Sequence, residues 1–343
     1  MTKSLLKALR GESQDQVPIW LMRQAGRYLP EYRKLRTKAE NFLDFCYRPE
    51  LSVTATLQPI DRFGFDGAII FSDILVIPDA LGQKVSFEEG RGPVLDALDG
   101  ADRLETLSSK GLRSHLSPVY EAISMVSDRL PQEVSLIGFA GAPWTIASYM
   151  IEGGASRNFT KLKSWAYGKP EAFTRLVDLL TDAVSDHLCA QIEAGAEVVQ
   201  LFDSWAGILA QDDFDRWCLR PVTKIIKQVK ARHHDTPIIV FPNRAGMFYE
   251  GIAQQSGADG VSIDMTVPLD FARNVLQKRV TVQGNLDPVS LVVGGDSLRR
   301  QVHRILENLG SGPFVFNLGH GILPETPPEH VTMLVEEVRK WRR

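Results

Sequence analysis

Two arginines lie four residues apart in the stretch MRQAGRYLPEYRKLR, which follows the apolar run VPIWL. If that run is a buried strand, Arg23 and Arg27 leave its carboxyl end together, and Gly26 lets a ligand approach the backbone closely. A guanidinium group stays charged at any relevant pH and pairs with a carboxylate through two parallel hydrogen bonds. The spacing therefore predicts a site for an anionic ligand with several carboxylates. A surface network of ion pairs is the alternative.

The charge around these arginines differs from the charge of the whole chain. Residues 16–38 contain six cationic side chains and the single acid Glu31, a local balance of +5, whereas the 343-residue chain has a net charge of −3. A net negative charge argues against general binding to nucleic acids or anionic membranes, which requires a basic surface. We therefore expect a small-molecule ligand at a local basic site, with no nucleic-acid or membrane partner.

Two further features concern the compartment in which the protein works. The first residues, MTKSLLKALRGES, lack the apolar segment of a signal peptide, and no apolar run is long enough to span a bilayer. The three cysteines, Cys46, Cys189 and Cys218, are scattered along the chain, which favours reduced thiols. These features predict a cytoplasmic protein.

Asp73 ends a second apolar run, in the stretch FSDILVIPDALG. A carboxylate at the end of a buried strand can bind a metal, act as a base, pair with an arginine or accept N–H groups from a ligand. Its apolar surroundings make an unpaired charge costly, so a functional or structural partner is expected. Both interpretations remain open from the residue alone.

Other polar and aromatic residues follow the remaining apolar runs, with weaker signals. Tyr149 donates to a ligand or closes the core, and Ser204 follows Asp203 at the end of a run. His320 lies between two glycines, which favours a site over the core. Phe139 is a core residue unless a large flat ligand stacks against it.

The elements that must position these residues alternate between strands and helices. Eight short apolar or β-branched runs predict strands covered on both faces; they are Val17–Met22, Gly67–Ser72, Val134–Gly141, Glu197–Asp203, Pro237–Pro242, Gly260–Met265, Val280–Asn285 and Pro313–His320. Eight β–α alternations predict an α/β fold, a (β/α)8 TIM barrel, with its reactive residues at the carboxyl ends of the strands. An open doubly wound sheet is the alternative, but neither of its usual phosphate-binding loops is present.

Three details complete the predicted single domain over residues 1–343. The N-terminal residues form a short amphipathic helix that stops at Gly11. About sixty residues separate the second and third predicted strands, and within them Lys84–Leu98 predicts a hairpin that turns at Glu89–Gly92. The last helix is predicted to begin at Pro327, with Thr326 as its cap and Glu329 completing a capping box.

A zinc site is the first metal site to consider, because His187 and Cys189 form a His-x-Cys pair. The pair lies in a helical pattern, where residues two apart point in nearly opposite directions and cannot easily share a metal. The prediction is therefore that no metal is bound there.

Six stretches of the sequence closely resemble uroporphyrinogen decarboxylases, in order and across nearly the whole chain; they are Pro18–Arg33, Phe71–Gly82, Gly138–Gly154, Gln200–Gly207, Gln283–Pro288 and Asn317–Glu329. The resemblance implies a cytoplasmic, homodimeric, distorted TIM barrel without metal or prosthetic group. It also implies removal of carbon dioxide from the four acetate side chains of uroporphyrinogen III. The product is then coproporphyrinogen III, in haem and related tetrapyrrole biosynthesis.

The same resemblance assigns roles to residues. Arg23 and Arg27 hold substrate carboxylates together with the backbone of the residues between them, Gln24, Ala25 and Gly26. Asp73 accepts hydrogen bonds from the pyrrole N–H groups and stabilises positive charge. Tyr149, Ser204 and His320 bind peripheral acetate or propionate groups, and Phe42 and Phe139 line the cleft. The implied catalytic set is Asp73, Arg23, Arg27 and Tyr149. The pair Asn243–Arg244 is not part of the resemblance and is left outside the predicted site.

The expected chemistry needs no cofactor, because a protonated pyrrole ring accepts the electrons that carbon dioxide leaves behind. Three alternatives remain. A zinc-dependent corrinoid or thiol methyltransferase of the same barrel superfamily would need cysteine and histidine ligands at strand ends. An enzyme with carboxylate-bound metal would use Asp73, Asp203 and Asp264. A non-catalytic tetrapyrrole-binding protein would hold the macrocycle without releasing carbon dioxide.

Overall fold

Seven parallel strands form one curled sheet in the computed structural model, which describes residues 3–88 and 92–343. The sheet order is β1-β4-β5-β6-β7-β8-β9, and the strands β2 and β3 form a separate antiparallel hairpin. The strands are β1 Gly67–Ile69, β2 Val85–Glu88, β3 Gly92–Leu95, β4 Ser135–Gly141, β5 Val198–Asp203, β6 Ile238–Pro242, β7 Gly260–Ser262, β8 Thr281–Leu286 and β9 Phe314–Leu318. The predicted α/β class with a parallel sheet is confirmed.

A short segment at residues 18–20 closes the sheet between β9 and β1. Phe316 donates its N–H to the carbonyl of Pro18 at 2.8 Å, and Trp20 donates to the carbonyl of Phe316 at 3.3 Å. On the other side, Asp66 donates its N–H to the carbonyl of Ile19 at 2.8 Å, directly before β1. The segment therefore bonds to both edges of the sheet and completes the barrel.

The predicted first strand, Val17–Met22, is consequently only an isolated bridge, between Ile19 and Phe316. Side chains accept hydrogen bonds from backbone N–H groups that would pair with neighbouring strands if this strand were longer. Ile19 donates its N–H to the Asp66 carboxylate at 2.7 Å, and Met22 donates to Asn317 Oδ1 at 3.0 Å. The position of the strand was predicted correctly, but its length was not.

A chain of polar side chains runs through the buried barrel interior. Trp20 Nε1 donates to Gln283 Oε1 at 2.9 Å, and Gln283 Nε2 donates to Gln200 Oε1 at 3.0 Å. Gln200 Nε2 in turn lies 3.9 Å from the sulfur of Met22. All four side chains are almost fully buried, so they fill the barrel and satisfy one another there.

In the part of the chain that the structure describes, seventeen α-helices surround the sheet or follow its strands. The first nine are α1 Ser4–Leu9, α2 Pro30–Arg36, α3 Phe42–Cys46, α4 Pro49–Phe63, α5 Val76–Ala80, α6 Leu112–His115, α7 Ser117–Ser127, α8 Pro143–Glu152 and α9 Thr160–Gly168. The remaining eight are α10 Pro170–Glu193, α11 Gln211–Phe214, α12 Arg220–Arg232, α13 Tyr249–Gln255, α14 Leu269–Phe271, α15 Pro288–Val293, α16 Gly295–Leu309 and α17 Pro328–Lys340. Within residues 3–88 and 92–343, no helix combines the length and apolar character needed to cross a membrane.

The long insertion contains the predicted hairpin, in which Val85 pairs with Leu95 and Glu88 with Gly92. The predicted turn residues 89–91 lie outside the described residues. The insertion is fastened to α8, because Leu95 donates its N–H to the Gly153 carbonyl at 3.0 Å and Leu98 donates to the Met150 carbonyl at 2.9 Å.

The two ends of the chain test two local predictions. The N-terminal helix α1 is confirmed, and Gly11 follows it with a φ of +83°. The predicted capping box of the last helix is wrong. Pro327 occupies the N-cap position, and the buried hydroxyl of Thr326 has no hydrogen-bond partner among the described residues. The Thr326 N–H instead closes a turn on the Leu323 carbonyl at 3.1 Å.

Candidate active site

The carboxyl ends of parallel strands face one end of the barrel, and the predicted site residues lie in the segments that leave it. Asp73 follows β1, Tyr149 lies on α8 after β4, and His320 follows β9. The positive charge of Arg23 favours the ionised form of Asp73 and Tyr149 and disfavours the charged form of His320. The charge of Arg23 therefore influences all three side chains, each of which follows a strand at this end of the barrel.

Asp73 is held at the start of the turn that leads into α5. Its Oδ1 accepts the N–H of Leu75 at 2.8 Å, and its Oδ2 has no hydrogen-bond partner among the described residues. Burial raises the pKa of Asp73 from 3.8 to about 6, while the Leu75 N–H and the charge of Arg23 limit the rise. The side chain is therefore mainly ionised at neutral pH and has one oxygen free to accept a ligand N–H.

Arg23 has an unusual backbone conformation, with a φ of +62°. Neighbouring backbone fixes it, because Ile322 donates its N–H to the Met22 carbonyl at 2.9 Å. The Arg23 side chain crosses Gly321 so closely that a Cβ there would lie 2.8 Å from Arg23 Cγ and 2.9 Å from Nε. Gly321 therefore provides the space through which Arg23 extends toward His320.

Gln24 faces the core rather than the strand-end region. Its Oε1 accepts the N–H of Leu21 at 3.1 Å, and its Nε2 donates to the Gly67 carbonyl at 3.0 Å. Tyr28 donates its hydroxyl to the Gln24 carbonyl at 2.8 Å, which fixes the following turn. Both polar atoms of the Gln24 side chain are hydrogen-bonded within the protein, so this residue holds the loop in place.

The loop between the two predicted arginines exposes other groups. Arg27 is exposed, and Ala25 and Gly26 are half-buried. Within the described part of the chain, the N–H groups of these three residues make no hydrogen bond. No described side chain forms an ion pair with Arg23 or Arg27. The loop therefore offers N–H groups and two guanidinium groups without protein acceptors, an arrangement that suits carboxylates.

Tyr149, Ser204 and His320 are half-buried polar groups at the strand ends. The Tyr149 ring lies 6.3 Å from the Trp205 ring, and burial together with the charge of Asp73 raises the Tyr149 pKa. Burial and the cations Arg23 and Arg244 lower the pKa of His320 from 6.5 to about 4. His320 is therefore neutral at pH 7, and Tyr149 keeps its proton, so both can form hydrogen bonds to a ligand.

Aromatic rings form a wall across neighbouring strands. The Phe139 ring lies 5.7 Å from the Phe202 ring, which lies 6.2 Å from Phe241, and Phe241 lies 6.4 Å from the His320 ring. Such edge-on contacts build a rigid apolar surface. Phe42 belongs to a different aromatic cluster, in which it contacts Phe71 and the hairpin residue Phe87 at ring distances of 5.8 and 4.8 Å.

Two acids in the carboxylate-metal alternative have other partners. Asp203 is fully buried and accepts the Thr145 hydroxyl at 2.6 Å. Asp264 is also fully buried, and its carboxylate accepts hydrogen bonds from the backbone of Arg244, from the hydroxyl of Tyr249, and from both groups of Thr266. In residues 3–88 and 92–343, no group of three or more His, Cys, Asp or Glu side chains is arranged to hold a metal.

Sequence reasoning did not place Arg244 near the site. The N–H of Arg244 is bonded to Asp264, whose backbone lies against Gly319 beside His320, and Arg244 lowers the pKa of His320. Its φ of +59° resembles that of Arg23. The position after β6 was a usable signal, since every strand end contributes to one face of a barrel.

Comparison with known proteins agrees with this arrangement. A family profile described as uroporphyrinogen decarboxylase (URO-D) matches residues 1–341. A uroporphyrinogen decarboxylase of Rhodospirillum rubrum is 50% identical over 340 residues, which cover 99% of this chain and 98% of that protein. One from Brucella canis is also 50% identical, over 339 residues and 99% of both chains.

Among solved structures, a methyltransferase from Methanosarcina mazei superposes with a TM-score of 0.82 at 22% identity and covers 98% of both chains. At this identity the likeness concerns the fold alone. It supports the barrel architecture, while the profile and the half-identical relatives settle the family. The chain belongs to the uroporphyrinogen decarboxylase family.

Proposed function

We propose that this chain is a carboxy-lyase that removes carbon dioxide from the four acetate side chains of uroporphyrinogen III and leaves methyl groups, giving coproporphyrinogen III. Family membership across residues 1–341 supports the reaction. The observation that carries it is that Arg23, which has no ion-pair partner among the described residues, and Asp73, which has one unbonded carboxylate oxygen, lie at the same end of the barrel. A polyacidic macrocycle needs both such a cation and a central acceptor.

The proposed role of Asp73 follows from the electron flow. Protonation of a pyrrole ring carbon makes the ring cationic, and loss of carbon dioxide from the adjacent acetate returns two electrons to the ring and leaves an exocyclic methylene group. That methylene carbon then gains a proton and the ring carbon loses one, which restores the pyrrole and gives the methyl group. A fixed carboxylate that accepts the pyrrole N–H stabilises this cation as it forms. Asp73 suits the role because its Oδ1 is fixed by the Leu75 N–H while Oδ2 has no partner among the described residues.

The loop from Arg23 to Arg27 is the proposed carboxylate-binding segment. Both guanidinium groups and the N–H groups of Ala25 and Gly26 are available to anionic oxygens. Binding through several donors holds an acetate arm in one orientation, which lowers the entropic barrier to its reaction. Gln24 serves this loop as an internal support, since its side chain is bonded to Leu21 and Gly67.

The remaining predicted residues are proposed to surround the macrocycle. Tyr149, Ser204 and His320 hydrogen-bond peripheral carboxylates, and Tyr149 completes the catalytic set. Phe139 contacts the apolar face of the pyrrole rings, as part of the wall it forms with Phe202. Phe42 acts at the outer margin of the cleft, where it packs against the hairpin residue Phe87.

Three broader features are proposed from the family alone. The chain acts as one barrel domain over residues 1–343, as a homodimer, and in the cytoplasm. The pyrrole ring serves as the electron sink, so the proposed reaction requires neither a metal nor a prosthetic group.

The decisive experiment is anaerobic incubation of the protein with uroporphyrinogen III, with and without a metal chelator. After oxidation, chromatography gives the number of carboxyl groups in each product. We expect compounds with seven to four carboxyl groups to appear at equal rates in both samples. Recovery of the eight-carboxyl compound alone would indicate a tetrapyrrole-binding protein, and a loss of activity only in chelator would indicate a metal enzyme.

A further inference from the structure

Arg244 has a left-handed backbone conformation, with a φ of +59°. The only other described residues that combine a positive φ with a side chain are Arg23 and Phe159. This conformation is costly for a residue with a Cβ and is found where the surrounding structure enforces it, frequently at functional sites. Two of these three residues are thus arginines, and the charges of both lower the pKa of His320.

The loop around Arg244 is held from several directions. Its N–H donates to Asp264 Oδ2 at 2.8 Å, and the same oxygen accepts the Tyr249 hydroxyl at 2.9 Å. Asn243 donates its side-chain amide to the Ser204 carbonyl at 3.2 Å. Gly207 leaves room for the loop, because a Cβ there would lie 2.6 Å from Arg244 Cβ and 2.8 Å from its carbonyl carbon. The backbone of Arg244 is therefore fixed even though its side chain is exposed.

The Arg244 guanidinium group has no protein acceptor in the described part of the chain. The buried Asp264 carboxylate, to which its backbone is bonded, already accepts four hydrogen bonds. The backbone of Asp264, whose carboxylate holds this loop, lies against Gly319, the residue before His320, because a Cβ at Gly319 would lie 3.0 Å from the Asp264 carbonyl carbon. In agreement with this placement, Arg244 and Arg23 both lower the pKa of His320, whereas Asp264 acts in the opposite direction. The loop therefore holds an unpaired cation beside His320, which is itself proposed to bind substrate carboxylates. Such a cation is suited to bind a carboxylate as well.

We propose that Arg244 binds a peripheral carboxylate of the substrate next to His320, as a positioning residue beyond the Arg23–Arg27 loop. The inference rests on the proposed function and extends it, because it assigns a second cationic contact on the β6 side of the cleft. The carboxylate it binds belongs to an acetate or propionate arm that does not react in the same cycle. Arg244 therefore contributes mainly to binding and orientation of the macrocycle.

The test uses Arg244→Asn and Arg244→Gly, which remove the charge but tolerate a positive φ. We expect KM for uroporphyrinogen III to rise about tenfold while kcat changes by less than about threefold, as for a lost charge-assisted hydrogen bond outside the reacting centre. Arg244→Lys should recover part of the loss. The thermal midpoint of Arg244→Gly should equal or exceed that of the parent protein, because the backbone strain is relieved.

Arg273→Asn is the matched control, since Arg273 is an exposed arginine in the helical segment between β7 and β8 with an ion pair to Asp270 at 3.2 Å. It removes the same charge and should leave KM unchanged. A second readout is the NMR titration of His320, whose pKa should rise in both Arg244 variants and stay constant in the control.

The possible results separate this inference from the proposed function. If the parent protein releases no carbon dioxide, the proposed function fails. If the parent protein is active and both neutral Arg244 variants keep its KM, Arg244 does not bind substrate and the inference is overturned, whatever the His320 titration shows. A tenfold KM increase that Arg273→Asn reproduces would likewise overturn it, because the effect would then come from net charge.

Discussion

At the scale of single residues, Asp73 combines its proposed function with a cost in stability. Its folded pKa of about 6 lies above the ordinary value of 3.8, so the protonated form is favoured in the folded state. The ionised form therefore destabilises the fold, and this penalty develops as the pH rises from about 4 through 6 and is complete above that range. Such a cost is typical of a preorganised site.

Asp73→Asn separates the two effects. The amide keeps an oxygen for the Leu75 N–H but loses the charge, so turnover should fall by about a hundredfold or more. At pH 7 the variant should be about 1–3 kcal/mol more stable than the parent protein, and the difference should disappear below about pH 4. Turnover assays and chemical denaturation at pH 7 and pH 4 measure both effects. Near-normal turnover would contradict the assigned role.

Gly321 gives a test of Arg23 that leaves the guanidinium group in place. A methyl group at Gly321 would meet the flexible Arg23 side chain rather than backbone, so Gly321→Ala should displace Arg23 with little change in thermal midpoint. We expect KM to rise about three- to tenfold. Gly100→Ala is the control, because a Cβ at Gly100 meets no atom within 4 Å. Equal KM values in the two variants would show that the position of Arg23 is unimportant for binding.

Several of the predicted site residues could be identified individually from the sequence, but the hydrogen bonds that hold their loops in place could not. Arg23, Asp73 and His320 follow apolar runs, and the strand-end rule brings such residues to one face. Gln24 was placed among the ligand contacts through its backbone, yet its N–H donates to the Leu21 carbonyl at 3.0 Å, and its side-chain amide is bonded to Leu21 and Gly67. Side-chain direction within a loop depends on tertiary contacts that a local pattern does not encode.

At the scale of elements, the hairpin β2–β3 is part of the site's surroundings because it is fastened to α8, which carries Tyr149. Gln83 provides one fastening, since its Nε2 donates to the Asp96 carbonyl at 2.8 Å and to the Met150 carbonyl at 3.0 Å. The sequence indicated the hairpin through its turn residues, but no pattern indicated where it would dock.

Gln83→Ala should loosen this docking. The Asp96 carbonyl loses its donor and the Met150 carbonyl keeps only the Leu98 N–H, which costs about 1–3 kcal/mol when such groups are buried. We expect a lower thermal midpoint and faster amide hydrogen exchange at residues 92–98. Ser86→Ala removes an exposed hydrogen bond within the hairpin, to the Val94 carbonyl at 3.2 Å, and should change stability by less than about 0.5 kcal/mol. Unchanged exchange in Gln83→Ala would mean that the backbone bonds to Gly153 and Met150 suffice.

Strand and cap boundaries show where element prediction reaches its limit. The run Val17–Met22 has the composition of a strand, but Pro18 lacks an N–H and the Asp66 and Asn317 side chains take the N–H groups of Ile19 and Met22. At the other end, α17 begins at Pro328 rather than Pro327, and Thr326 closes the preceding turn. In both cases a side-chain or turn bond competes successfully with the regular pattern.

At the scale of the whole molecule, Asp66 joins three distant parts of the chain. Its carboxylate accepts the Ile19 N–H at 2.7 Å and the Ser4 hydroxyl at 3.2 Å, and it pairs with Arg339 of the last helix at 2.8 Å. The barrel closure, the N-terminal helix and the C-terminal helix therefore meet at one acid.

Asp66→Ala should lower the free energy of unfolding by about 2–4 kcal/mol, because it leaves the Ile19 N–H without its acceptor and Arg339 without its counter-ion. Chemical denaturation measures the change. Asp61→Ala, on the exposed face of α4, is the control and should stay within about 0.5 kcal/mol of the parent protein. A loss of similar size in the control would show that the effect does not come from the barrel closure.

The pH dependence of activity is also a property of the assembled site. The proposed mechanism uses Asp73 with an ionised carboxyl and His320 with a neutral imidazole, and their pKa values are about 6 and about 4. The value of kcat/KM should therefore decline as the pH falls through about 6 and stay level from about 7 to 8. A profile that remains flat down to pH 5 would exclude Asp73 as the titrating group.

The polar side chains that fill the barrel below the strand ends have a consequence for how the macrocycle binds and is released. Among the described residues, Trp20, Gln283 and Gln200 are bonded across the interior and fill the barrel axis, so we expect every arm to enter and leave from the strand-end side. A flat ring with four reactive arms then has to withdraw and turn before the next arm can be presented. Turnover would accordingly occur in successive binding events, and partly decarboxylated intermediates would exchange with the solution between them.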